Sequence, residues 1–149
     1  MPTGTDVSVD SPLGRATRLR FVEFDFTTEP NGRCQARVGL ELNPGERWLG
    51  AAEGLASDAG EMRCAAEATL RAIEQAVSGA VAFELLGVKS VRAFDTVVLI
   101  VSVVSRASGQ THRLVGSFLA DQEQARGAAL AVLNATNRLL GNIFAREPA

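Results

Sequence analysis

Tyrosine is missing from this chain, and tryptophan and histidine occur once each. Aromatics make up only 5% of the 149 residues, so a core here has to be built from Ala, Val and Leu, which favours close helix-to-sheet packing. The two cysteines, Cys34 and Cys64, are too few for a disulfide framework and lack metal-ligand spacing. With one histidine beside them, a zinc site would need carboxylates from three directions, so neither metal nor cofactor is expected. No charge excess exists either: a net charge of −2 gives no electrostatic reason for a nucleic-acid or anionic-membrane partner. The longest apolar run, Thr96 to Val104, falls far short of the ~20 residues that span a bilayer. No basic stretch followed by an apolar one marks a secretory signal. Two reduced, mostly buried thiols fit the cytoplasm, the expected compartment. Neither a Gly-x-Gly-x-x-Gly nor a Walker-type loop is present.

What the chain does have is a repeat. Ala65-Ala66-Glu67-Ala68-Thr69-Leu70-Arg71-Ala72 aligns with Ala128-Ala129-Leu130-Ala131-Val132-Leu133-Asn134-Ala135 at an offset of 63, with five of eight positions identical. Upstream of each copy lies a strand-like run holding a glycine, Trp48 to Ala52 around Gly50 and Leu114 to Phe118 around Gly116. A repeat of this length implies two copies of one supersecondary unit, each too small to bury its own apolar face.

Residues 1–15, rich in Thr, Ser, Asp, Pro and Gly, are expected to form a flexible tail, and residues 16–145 one domain of two units, 16–79 and 80–145. Alternation over Arg18 to Thr27 predicts a strand, with Leu19, Phe21 and the Phe24/Phe26 pair on one side. Pro30-Asn31-Gly32 is a hairpin turn. Cys34 to Leu42 is a second strand, and Asn43-Pro44-Gly45-Glu46 a second turn. A third strand, Arg47 to Glu53, leads to a helix capped by Ser57 or Asp58 that runs to about Ser78 and closes at Gly79. The second unit repeats the order: Val81 to Phe94, bulged at Gly87; Thr96 to Ser105; His112 to Ala120; then a helix from about Gln122 to Leu140, stopped by Gly141-Asn142. The expected fold class is therefore α+β: two layers, tandem βββα repeats about a pseudo-twofold, with two three-stranded antiparallel sheets or one continuous sheet carrying both helices.

The (βββα)₂ order, the glycine before each helix and the Leu133-to-Leu140 helix end (Leu-Asn-Ala-Thr-Asn-Arg-Leu-Leu) resemble the C-terminal regulatory domain of 2-isopropylmalate synthases. The resemblance covers about Thr17 to Leu140. It implies a dimer of paired βββα units that binds leucine as feedback inhibitor, here as a stand-alone relative without the catalytic barrel. In place of the family's short Gly-Pro-Val-Asp-type turn this chain has Gly54 to Gly60, longer and without proline.

Candidate ligand-binding residues cluster at helix starts and on one helix face. Gly54, Ser57, Asp58 and Asp121 lie where unpaired amides and the positive helix end favour anions, although Ser57, Asp58 and Asp121 are themselves competent caps. Asn134 and Asn137, three apart, share a face and point to a ligand pocket or a dimer seam. No catalytic residues are assigned. His112 lacks a local nucleophile or orienting carboxylate. The βββα order is also similar to half of a double-stranded RNA-binding domain, but Asp58, Glu61, Asp121 and Glu123 would repel phosphates there.

The expected function is a non-catalytic, homodimeric, small-molecule-sensing or regulatory module; Thr96 to Val104 is too apolar for a half-exposed edge and requires either a central place in the sheet or a partner subunit over it. The alternatives are an assembly subunit of a larger complex, or a small enzyme using a cleft between the repeats with Asp58, Asp121, His112 and Asn134 as pocket residues.

Overall fold

The structure, a computed structural model, describes residues 18–120 and 122–146. The expected tail and Asp121 lie outside the described residues. The described residues form β1 (Arg20–Thr28), β2 (Arg33–Glu41), β3 (Arg47–Leu55), α1 (Asp58–Ala76), β4 (Ala82–Ala93), β5 (Thr96–Ala107), β6 (Gln110–Leu119) and α2 (Gln124–Arg146). The order is βββα twice, an α+β two-layer fold.

The strands make two separate antiparallel sheets, β1-β2-β3 and β4-β5-β6, rather than one continuous sheet. Alternation decides the inward faces. In the first sheet Cys34, Ala36, Val38 and Leu40 are buried, with Gly50 and Ala52 opposite Val38 and Ala36. A register shift between Phe21 and Glu23 lets Phe21, Phe24 and Phe26 share that side despite their uneven spacing. In the second sheet Leu99, Val101 and Val103 face inward from the central strand β5, and the register shifts between Leu85 and Gly87.

Each helix lies on its own sheet across a glycine. A Cβ on Gly50 would overlap the Ala68 carbonyl and the Ala72 amide, and one on Gly116 would overlap those of Ala131 and Ala135. The helix residues are again related by the offset of 63, so the halves repeat in space as in sequence. Eighteen residues separate Gly50 from Ala68 but fifteen separate Gly116 from Ala131, which locates the longer strand-to-helix turn in the first unit.

The two units share one core. Its buried cluster runs from Leu40, Leu70 and Ile73 to Leu99, Val132 and Phe144. Each helix also reaches the first strand of the other unit. From α1, Arg63 and Arg71 donate to the Leu85 and Phe83 carbonyls of β4 at 3.2 and 3.1 Å, and Glu74 accepts from the Phe83 amide at 2.7 Å. From α2, the Arg126 guanidinium sits 4.8 Å from the centre of the Phe21 ring. These contacts also occupy backbone groups of an edge strand that would otherwise invite another chain.

The end of α2 corrects the sequence expectation. The helix passes through Gly141 and Asn142 and continues to Arg146. Phe144 lies four residues beyond Leu140 on one face, and both are buried, so tertiary burial outweighs the roughly 1 kcal/mol that an interior glycine costs. No helix among the described residues is long and apolar enough to cross a membrane.

Candidate functional site

Ser57 is the N-cap of α1: its extended backbone begins the helix and its hydroxyl accepts from the Gly60 amide at 3.0 Å. Asp58, the next residue, is exposed and lines a hollow with Glu61 and Met62 of α1 and with Gln122, Gln124 and Ala125 at the start of α2. The starts of the two helices therefore meet. Gly54, near the end of β3, backs onto α1; a Cβ there would touch the Gly60 carbonyl at 3.6 Å and the Cys64 side chain at 3.9 Å, which is ordinary contact.

Asn134 and Asn137 do lie together, in a shallow hollow with Arg18, Arg138 and Gly141. The Asn134 amide is already engaged, donating to the Ser117 carbonyl of β6 at 2.7 Å. Gln75 makes a comparable bond from α1 to the Leu49 carbonyl of β3. These amides tie helix to edge strand. The hollow around Asp58 and the hollow around Asn134 are distinct, roughly 14 Å apart along α2 from Ala125 to Asn134.

His112 stands in a third hollow, of about 400 Å³, between the β5–β6 hairpin and the last turns of α2. It neighbours Ser105 across the ladder. His112 is exposed and lies on the edge strand β6. Missed were Ile143 and Arg146, which complete the hollow, because the helix was ended too early. The apolar Ile143-Phe144 pair spaced from Leu139 and Leu140 was the available signal.

Cys34 and Cys64 are both buried and unbridged. Cys34 donates to the Leu55 carbonyl at 3.4 Å and Cys64 to the Ala52 carbonyl at 3.1 Å. Burial, with the neighbouring Cys34 thiol second, pushes the Cys64 thiol up to about 12. Among the described residues no three His, Cys, Asp or Glu side chains gather as a metal site.

The outward faces of the two sheets differ in kind. On the first sheet Glu23 pairs with Arg47 at 3.7 Å, Arg20 with Glu41, and Arg33 with Glu53 at 4.0 Å; Leu49 and, at the end of β3, the exposed Leu55 are the apolar exceptions. On the second sheet the register puts Val91, Val98 and Leu119 in one cross-strand row and Ile100, Ser102, Val104 and Val115 beside it. Val115 is 62% and Leu119 64% exposed. At that end, the β4–β5 hairpin tip holds Phe94 98% exposed, with Phe94 and Asp95 both at positive φ, 53° and 60°. A bulky residue rarely adopts this backbone. No protein-family model matches the chain, and no curated protein is detectably similar to it.

Proposed function

We propose that the chain is a non-catalytic homodimeric module that senses a small molecule, with the second sheet's outward face as the dimer contact. The observation that carries this reading is the divergence of the duplicated sheets: the first outward face is set mainly with ion pairs, whereas the second centres on the apolar row Val91, Val98 and Leu119, with the Glu84–Arg106 ion pair towards its far end. An apolar face of this extent on a water-soluble domain calls for a cover.

A second copy fits that face. Three strands of up to twelve residues span roughly 14 Å by 40 Å, a projected area of about 560 Å². The accessible surface of a corrugated sheet exceeds its projection, which brings it towards the ~800 Å² per partner of a stable interface. A twofold axis along β5 would lay β4 over the partner's β6. Val91 then meets Leu119, Ile100 meets its own counterpart, and Glu84, which pairs with Arg106 of its own chain at 2.9 Å, comes over Arg113, which flanks Val104 on the opposite strand. The resemblance to the synthase regulatory domain supplies the sensing half of the proposal, and the hollows at the helix starts and under His112 supply places for a ligand.

Charge exchange tests the contact. Arg113→Glu should shift light-scattering mass towards 15.7 kDa, and adding Glu84→Arg should restore the doubled mass. A wild-type monomer at micromolar concentration would overturn the reading; a dimer indifferent to both changes would place the contact elsewhere. The same face would also suit a different protein in a larger assembly, in which case the isolated chain would be monomeric.

A further inference from the structure

The hollow under His112 is lined by residues between Ala80 and Arg146, in the second half of the chain. Ala76, the last residue of α1, corresponds to Leu139 at the offset of 63, yet α2 runs on to Arg146. Ile143 and Arg146, both lining the hollow, lie on that extension. A second departure from the duplication falls at the same place. Val38 opposite Gly50 matches Val101 opposite Gly116, so four residues further on Leu42 matches Ser105. The second unit thus puts a hydroxyl where the first has leucine.

Ser105 is only 3% exposed and lines the hollow. Among the described residues no buried side-chain oxygen or nitrogen lacks a partner, so the Ser105 hydroxyl is not a sealed orphan. Arg146 and His112 line the same hollow, and Val81, Leu139 and Ile143 give it an apolar wall. Among the described residues no aspartate or glutamate lines the hollow. At about 400 Å³ it lies at the small end of ligand-site volumes.

We propose that this hollow binds a small carboxylate carrying an aliphatic tail. Arg146 and Ser105 hold the carboxylate by charge-assisted hydrogen bonds, and the tail lies against Val81, Leu139 and Ile143. The proposal rests on the sensing half of the reading above and not on its dimer half.

The test is an amide-resolved NMR titration of the whole chain with hexanoate, and with hexylammonium as a probe of the same tail and opposite charge. Hexanoate should shift the amides of Ser105, His112 and Ile143, and hexylammonium should not. Arg146→Gln, an exposed position whose change leaves the core intact, should weaken hexanoate about tenfold, as expected for losing one charged hydrogen bond. Ser105→Ala should weaken it several-fold. Equal shifts with both probes, shifts confined to other regions, or an Arg146→Gln variant that binds as wild type would each overturn the proposal. Absent hexanoate shifts on a protein of doubled mass would remove the hollow and leave the dimer; hexanoate binding by a monomer would do the reverse.

Discussion

Gly50 and Gly116 set how closely each helix can approach its sheet, because helix backbone occupies the space a Cβ would need. Gly50→Ala and Gly116→Ala should each lower stability by about 2–3 kcal/mol in urea unfolding, since a helix must move. Gly87→Ala, where the added methyl meets open space, should change it by less than about 0.5 kcal/mol. The close approach was legible in the sequence from two glycines at matched places ahead of two alanine-rich helices. Cys64 supplies a pH signature. Its thiol is raised to about 12 from an ordinary value of 9.0, so above pH 9 the unfolded chain releases a proton that the folded chain retains. Stability should therefore fall with rising pH from about 9 to 12, and not below that window. The chain has no tyrosine and a single lysine, so few other groups titrate there. Urea midpoints at pH 8 and pH 10.5 should separate for wild type and much less for Cys64→Ala.

Among the elements, the strands and α1 were legible because period-two and helical patterns there agree with burial, and Ser57 caps as its residue type suggests. The tail of α2 was not, because Gly141 and Asn142 are ordinary stop signals and only the packing of Phe144 outweighs them. Phe144→Ala should cost about 3 kcal/mol and speed amide exchange over the last two turns of α2. The β4–β5 hairpin tip was equally illegible: Asp95 tolerates positive φ but Phe94 does not favour it, whereas Ser108-Gly109 and Gly32 do their turns with glycine in place. Phe94→Asn with Asp95→Gly should raise stability by about 1 kcal/mol by relieving that backbone. The comparison belongs in a Val115→Glu, Leu119→Glu background, where any association through the tip is removed.

At the scale of the molecule, duplication explains the shared core and divergence explains the surfaces. Arg63, Arg71 and Glu74 reach from α1 to β4, and Arg126 from α2 to Phe21, so neither unit's interior is complete alone. Sequence reading caught the excess apolarity of Thr96 to Val104 but not its division, since alternate residues of one run serve two purposes. Leu99, Val101 and Val103 fill the core, while the half-buried Val98 and Ile100 belong to the outward face. The candidate residues at the helix starts were legible as positions but not as a group, because which hollow each joins depends on how the helices cross. The most direct measurement is light scattering of wild type beside a Val115→Glu, Leu119→Glu double variant. Wild type should weigh twice 15.7 kDa, and the variant, with an unchanged circular dichroism spectrum, 15.7 kDa. Equal masses for the two proteins would contradict the assignment of the second sheet's outward face to a twin chain.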